Sequence, residues 1–126
     1  MISFDDFKTE DGSPLYLQII RHIKRGVVAG TVHDGDELPS RRMLSALLGV
    51  NPNTVQKAYR MLEEEGLVRS RAGSGSCVAL DAEATARIRA ELTKQEARRF
   101  AESMRRMGMT LEEAAAQLAE VWGDAE

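Results

Sequence analysis

One cysteine in 126 residues excludes an internal disulfide, because Cys77 has no second thiol to meet. The same isolation leaves a sulfenic acid there with nothing to resolve it, so Cys77 reads as a small, half-buried apolar residue on a strand rather than a redox sensor. His22 and His33 have no i, i+4 partner and no Cys pair nearby, which removes the usual spacings of a metal site. No metal and no cofactor is expected. No apolar run approaches the roughly 20 residues of a membrane span. No basic-apolar leader opens the chain, so a cytoplasmic protein without a membrane partner is expected. Catalytic groupings are missing as well: no carboxylate pair in an apolar setting, no Ser/His/Asp or Cys/His set, no phosphate loop. An enzyme is therefore not expected.

Acid is absent where it matters most. The whole chain is mildly acidic, with 17 Lys and Arg against 20 Asp and Glu, yet Leu38 to Leu62 holds four basic residues and no acidic one. Residues 1–80 balance at ten of each sign, whereas 81–126 carry seven basic and ten acidic, so the net charge of −3 resides in the tail. Phosphate binding depends on a local basic patch rather than on the total, so this pI does not argue against nucleic acid.

The acid-free stretch encodes two short helices and a tight turn. Ser40 is an N-cap for the first, which ends near Gly49, a residue that relieves the strain of a left-handed helix terminus. Asn51 followed by Pro52 starts the second: the Asn side chain can accept an orphan N–H, and proline sits where none is needed. Val55, Ala58, Tyr59 and Leu62 form its buried face. Asn53, Gln56, Lys57 and Arg60 form the opposite stripe at i, i+3, i+4, i+7. Amides can pair with adenine edges and cations can reach guanine or phosphate, so these side chains suit a major groove. A solvated helix surface is the plainer reading of such a stripe. The missing acid, the short Gly-containing turn and the basic hairpin that follows favour a DNA-binding helix-turn-helix.

That hairpin is Leu67 to Leu80. Val68 and Ser70 alternate with Arg69 and Arg71, Ala72-Gly73-Ser74-Gly75 makes the tip, and Cys77 to Leu80 returns. A tip without bulky side chains lets the backbone approach a sugar-phosphate edge while Arg71 reaches a phosphate or minor groove. The alternative is a plain hairpin closing the domain.

Upstream, Ser13-Pro14 opens a scaffold helix by the same cap-and-proline logic, with Tyr16, Ile19, Ile20, Ile23 and Val27 as its apolar stripe and Gly30 as its end. Asp34-Gly35-Asp36 turns into an extended Glu37-Leu38, placed to pair with the hairpin. Residues 1–12 read as an extended arm whose Phe4 and Phe7 need something to pack against. After Leu80, no Gly or Pro occurs before Gly108, the mark of a long helix. Ala90, Ala97, Phe100, Ala101, Met104 and Met107 line it, with Ile88 and Leu92 displaced round the cylinder. Thr110 with Glu113 makes a capping box for a last helix carrying Leu111, Ala114, Ala115, Leu118, Val121 and Trp122. Its methionines suit an adaptable core.

The fold class expected is mainly α with a small β wing: a winged helix-turn-helix over 13–80, preceded by an arm at 1–12 and followed by a two-helix tail at 81–126. Two amphipathic helices cannot fully bury their faces on each other. A homodimer through Ile88, Leu92, Phe100, Met104, Met107, Leu111, Leu118 and Trp122 is therefore expected, and it would present two recognition helices to a palindromic site. The alternative is that the tail folds back on its own winged domain.

Pro14-Leu15-Tyr16, Leu38-Pro39-Ser40-Arg41-Arg42, Leu48-Gly49-Val50, Thr54-Val55 with Ala58-Tyr59, Gly66-Leu67-Val68 and Gly73-Ser74-Gly75 resemble the GntR family of bacterial transcription regulators over roughly residues 13–80. The two-helix tail and Asn51-Pro52-Asn53-Thr54-Val55 look like its YtrA subfamily. The resemblance implies a dimer without a large effector domain, regulating transporter genes. It also implies DNA contacts from Arg42, the start of the recognition helix and the wing tip. Where some relatives carry arginine this chain has Pro52 and Gln56, so their base preference does not transfer.

The expected DNA-binding set is Ser40, Arg41, Arg42, Asn51, Asn53, Thr54, Gln56, Lys57, Arg60, Arg71, Gly73, Ser74 and Gly75. The expected function is a sequence-specific transcription regulator, a repressor acting as a homodimer on double-stranded DNA, with room for a small-molecule effector that would leave no motif. A winged-helix protein-interaction module is the competing function.

Overall fold

The computed structural model describes residues 1–10, 12–71, 73 and 75–124. Among the described residues, five α-helices and one hairpin follow in the order α1 (Leu15–Ala29), α2 (Arg41–Leu48), α3 (Pro52–Glu64), β1 (Val68–Arg71), β2 (Gly75–Val78), α4 (Ala82–Arg106) and α5 (Leu111–Val121), with a short 3-10 turn at Trp122–Asp124. This is the mainly helical winged fold anticipated above. The chain divides into two compact units, Met1–Arg89 and Ala90–Glu126.

In the first unit, α1 buries Ile19, Ile20, Ile23 and Val27, the stripe its 3.6-residue period dictates. Its start differs by one residue from expectation. Pro14, not Ser13, occupies the N-cap position, and no side chain caps the helix. Gln18 organises this corner instead. Its Nε2 donates to the carbonyls of Glu10 (2.7 Å) and Ser13 (2.8 Å), while its Oε1 accepts the Glu10 N–H at 2.8 Å. A buried amide is tolerated here because both of its ends are satisfied.

The arm is part of the fold rather than a separate segment. Ile2 and Phe4 are buried in the core, and the Ile2 N–H donates to the Glu37 carbonyl at 2.9 Å. Phe4 stacks on His22 at 4.4 Å between ring centroids, Phe7 meets the same ring edge-on at 5.5 Å, and His22 Nε2 lies 2.9 Å from the Ser3 carbonyl. His22 is thus locally bonded, with an aromatic enclosure.

Gly26, in the last turn of α1, is required by a close approach. A Cβ there would lie 2.4 Å from Cγ2 of Val32, where the chain folds back after Gly30 and the Thr31 and Val32 N–H groups both donate to the Gly26 carbonyl.

The wing pairs antiparallel in the register Val68 with Val78, Arg69 with Cys77, Ser70 with Ser76 and Arg71 with Gly75. The extended segment pairs as expected: Glu37 bridges Cys77, and Leu38 N–H donates to the Ser76 carbonyl at 3.0 Å. Cys77 is fully buried rather than half-buried. Ile19, Leu44, Val55, Ala58 and Leu62 make the centre of the core, where three helices meet.

Asp81 caps α4 through its carboxylate, which accepts the Ala84 N–H at 2.7 Å. The first turns of α4 complete the first unit: Ile88 is 3% exposed and belongs to its core, with Ala84 packed beside it. The boundary therefore falls at Arg89, about two helical turns after residue 80. In the second unit, Thr110 and Glu113 form the capping box that starts α5, with Thr110 Oγ1 accepting the Glu113 N–H at 3.1 Å and Glu113 accepting the Thr110 N–H at 2.9 Å. Hydrogen bonding from the Thr110 backbone N–H, and then from its side chain, holds the Glu113 carboxyl below its ordinary range. Among the described residues no helix is long and apolar enough to cross a membrane.

Candidate nucleic-acid interface

Ser40 and Asn51 act at the two helix starts as their types dictate. Ser40 Oγ accepts the Met43 N–H at 3.0 Å, and Asn51 Oδ1 accepts the Asn53 N–H at 2.8 Å. Their side-chain oxygens are therefore engaged within the protein, whereas the Asn51 amide nitrogen stays on an exposed residue. Between the helices, Gly49 takes φ 68°, a left-handed value that costs a β-carbon-bearing residue roughly 1–2 kcal/mol. Ser45 closes the turn, accepting the Gly49 and Val50 N–H groups on its carbonyl and donating its hydroxyl to the Val50 carbonyl.

With Val55, Ala58, Tyr59 and Leu62 turned inward, the α-helical period forces Asn53, Gln56, Lys57 and Arg60 outward, and all four are exposed. Thr54 is half-buried. Tyr59 anchors the arrangement from beneath: its buried hydroxyl donates to the Pro39 carbonyl at 2.7 Å and ties α3 to the segment that enters α2. Burial pushes its phenol well above the ordinary value of 10.0.

A cleft of about 640 Å³ runs between the start of α2, α3 and the wing. It brings together Ser40, Arg41, Gln56, Arg60, Arg71 and Gly75, so arginines from three elements line one hollow. Arg42, Asn51, Asn53, Thr54, Lys57 and Gly73 do not line it. Arg42, Asn53, Lys57 and Gly73 lie exposed outside it. Ser74 falls outside the described residues.

Three neighbours were not read from the sequence. Glu63 lines the cleft and accepts a hydrogen bond from Ser70 Oγ at 2.8 Å, joining α3 to the wing and, with Glu37, setting two carboxylates in a cleft that three arginines also line. The stripe Gln56, Arg60, Glu63 continues the helical period by one turn, so Glu63 was legible had the stripe been followed past Leu62. Asp34 lies 4.0 Å from Arg69, a residue exposed enough for that pair to count for little. Tyr16 holds the Lys57 ammonium 4.0 Å from its ring centroid. No local signal joins two residues so far apart in the chain.

The residues expected at a dimer interface separate by burial. Ile88 is committed to the core of its own chain and Leu92 is buried. Phe100 and Met104 are half-buried, whereas Met107, Leu111, Leu118 and Trp122 are exposed, Leu111 and Trp122 at 84% and 73%.

Residues 15–78 match the family described as bacterial regulatory proteins, gntR family. The HTH-type transcriptional regulator YhcF of Bacillus subtilis is 35% identical over 108 residues, covering 86% of this chain and 89% of that protein. The HTH-type transcriptional repressor YtrA of Bacillus subtilis is 41% identical over 73 residues, covering 58% of this chain and 56% of that protein. A solved structure of a GntR family transcriptional regulator from Listeria monocytogenes superposes with a TM-score of 0.74 at 33% identity, covering 90% of this chain and 99% of that one.

Proposed function

We propose, for a chain that belongs to the GntR family of bacterial regulatory proteins, the role of a repressor that acts as a homodimer on a palindromic operator. Family membership makes it a transcription regulator with a DNA-binding helix-turn-helix, and not an enzyme. The observation that carries the finer reading is the α3 stripe of Asn53, Gln56, Lys57 and Arg60, exposed over a packed inner face, of which Gln56 and Arg60 share a cleft with Arg41 and Arg71. In this reading α3 enters the major groove. Asn53 and Gln56 read base edges, since an amide offers a donor and an acceptor in fixed register. Lys57, Arg60 and Arg42 hold phosphates, and the wing backbone at Gly73 and Gly75 follows a sugar-phosphate edge.

Exposed Leu111, Val121 and Trp122 support self-association, because apolar area of this kind is stabilised only when covered. A second copy is the partner that also matches a twofold operator. The likeness to a relative named as a repressor supports negative control, and the subfamily resemblance points to transporter genes as the regulated targets.

Footprinting of the protein on its own promoter region tests the reading. The expected result is a protected inverted repeat with half-sites about one helical turn, roughly 10 base pairs, apart. Affinity should fall steeply with salt, because each neutralised phosphate releases counterions. A protected site without twofold symmetry overturns the dimeric arrangement. An interaction with little salt dependence would favour a protein-interaction module.

A further inference from the structure

We propose that Tyr16, at the start of the scaffold helix, is a positioning residue for DNA binding: it holds Lys57 in a fixed posture at the edge of α3. This inference rests on α3 being the recognition helix. Lys57 sits among exposed residues, where a lysine ordinarily samples many rotamers and loses that freedom when it meets a phosphate. Here the ammonium is 4.0 Å from the centroid of the Tyr16 ring, within the range of a cation–π interaction. The ring is itself held, being half-buried and packed against the core. A lysine fixed in this way loses less freedom when DNA arrives.

The direction of the side chain matters as much as its order. Tyr16 belongs to α1, so a Lys57 stem laid against it leans to the flank of α3 where α1 begins. Asn53 and Gln56 have no such tether in the hydrogen bonds, ion pairs and ring contacts seen among the described residues. Tyr16 thereby assigns Lys57 to the phosphate beside the groove and leaves the groove floor to the two amides. The face of the ring does this, so the hydroxyl is dispensable.

A double-mutant cycle on the full-length protein tests the assignment, with affinity for operator and random DNA measured across a salt series. Lys57→Met should lower the salt slope by about one. Tyr16→Leu keeps the charge and should leave the slope unchanged, while weakening both DNAs about 2- to 10-fold through the ordering freedom of one long side chain. Tyr16→Phe should bind like the parent. In the Lys57→Met background, Tyr16→Leu should have no further effect. An equal loss from Tyr16→Leu in both backgrounds, or a loss from Tyr16→Phe as large as from Tyr16→Leu, overturns the proposal by showing that Tyr16 acts on the scaffold alone. Should Tyr16→Leu not fold, NMR of the parent protein decides: Lys57 side-chain protons must show an upfield ring-current shift that Tyr16→Phe retains, and its absence refutes the tether. A Lys57→Met variant with unchanged affinity and slope also overturns the proposal, because Lys57 then holds no phosphate, whereas a Gln56→Ala variant that loses no operator preference in the same assay fails the reading of α3 as recognition helix, a distinguishable outcome.

Discussion

The Tyr59 hydroxyl donates a 2.7 Å hydrogen bond to the carbonyl of Pro39, and both residues are buried. One bond therefore sets the spacing between α3 and the entrance to α2. Tyr59→Phe keeps the ring in the core and leaves the Pro39 acceptor without its partner, which should cost about 1–3 kcal/mol in denaturant unfolding. The pH dependence follows from the raised phenol pKa. Because the folded state favours the protonated phenol, its contribution is fully present below the unfolded value near 10.0 and is lost as pH rises above it. Unfolding curves from pH 8 to 11.5 should show an alkaline loss of stability that is reduced in Tyr59→Phe. An identical alkaline limb in the two proteins would exclude Tyr59 as its source.

Gly26→Ala, in the last turn of α1, inverts the usual gain from replacing a helical glycine. Alanine is the better helix former by roughly 1 kcal/mol, but its methyl would meet the buried Val32 side chain at 2.4 Å. Overpacking of this kind costs about 1–3 kcal/mol, so a net loss of stability is expected. Thermal unfolding of the variant reads the sign directly, and a stabilised protein would mean that the turn after Gly30 shifts freely.

Two truncations should behave differently. Removing 82–126 takes Ile88 from the core along with the whole tail, and loss of so large a buried side chain costs about 2–5 kcal/mol. Removing 90–126 leaves the first unit with its core intact. The shorter deletion should give a folded monomer that binds operator DNA near the non-specific level, roughly 10⁻⁴ to 10⁻⁶ M at physiological salt. Sedimentation that still finds a dimer would place the interface on the winged unit.

Gln56→Ala and Arg42→Ala should separate reading from holding. The amide substitution should cost about 1–3 kcal/mol at the operator and relax one base position, with little effect on random DNA. The arginine substitution should weaken every sequence alike and lower the salt slope by about one. Gel-shift titrations with both DNAs decide, and equal losses from Gln56→Ala on each would remove it from the base-reading set.

The elements that local chemistry specifies were legible in the chain. Ser40 and Asn51 cap the helices they precede, Pro52 stands at the first position of α3, Gly49 turns left-handed, and Thr110 with Glu113 forms its box. Each rests on groups within a few residues of one another, so order along the chain suffices. The same holds for the period that sends Asn53, Gln56, Lys57 and Arg60 to the face opposite Val55, Ala58, Tyr59 and Leu62. The wing forms without the expected alternation: of β1 only Val68 is buried, and the return strand begins at Gly75 rather than Cys77, with Cys77 and Val78 both buried.

Tertiary structure decided the matters that depend on who else wants a surface. Ile2 and Phe4 lie in a polar stretch that reads as an arm, yet the apolar side of α1 and the ring of His22 offered them cover. Ile88 falls on a helix read as tail, yet the core of the winged unit lacked a lid and took it. Lys57 reads as one more exposed cation until the Tyr16 ring is beneath it. Hydrogen-bonded caps and left-handed turns act over two or three residues and leave their mark in the order of amino acids. Burial and cation–π attraction act between surfaces that meet only after the helices have packed, and no local pattern carries that information.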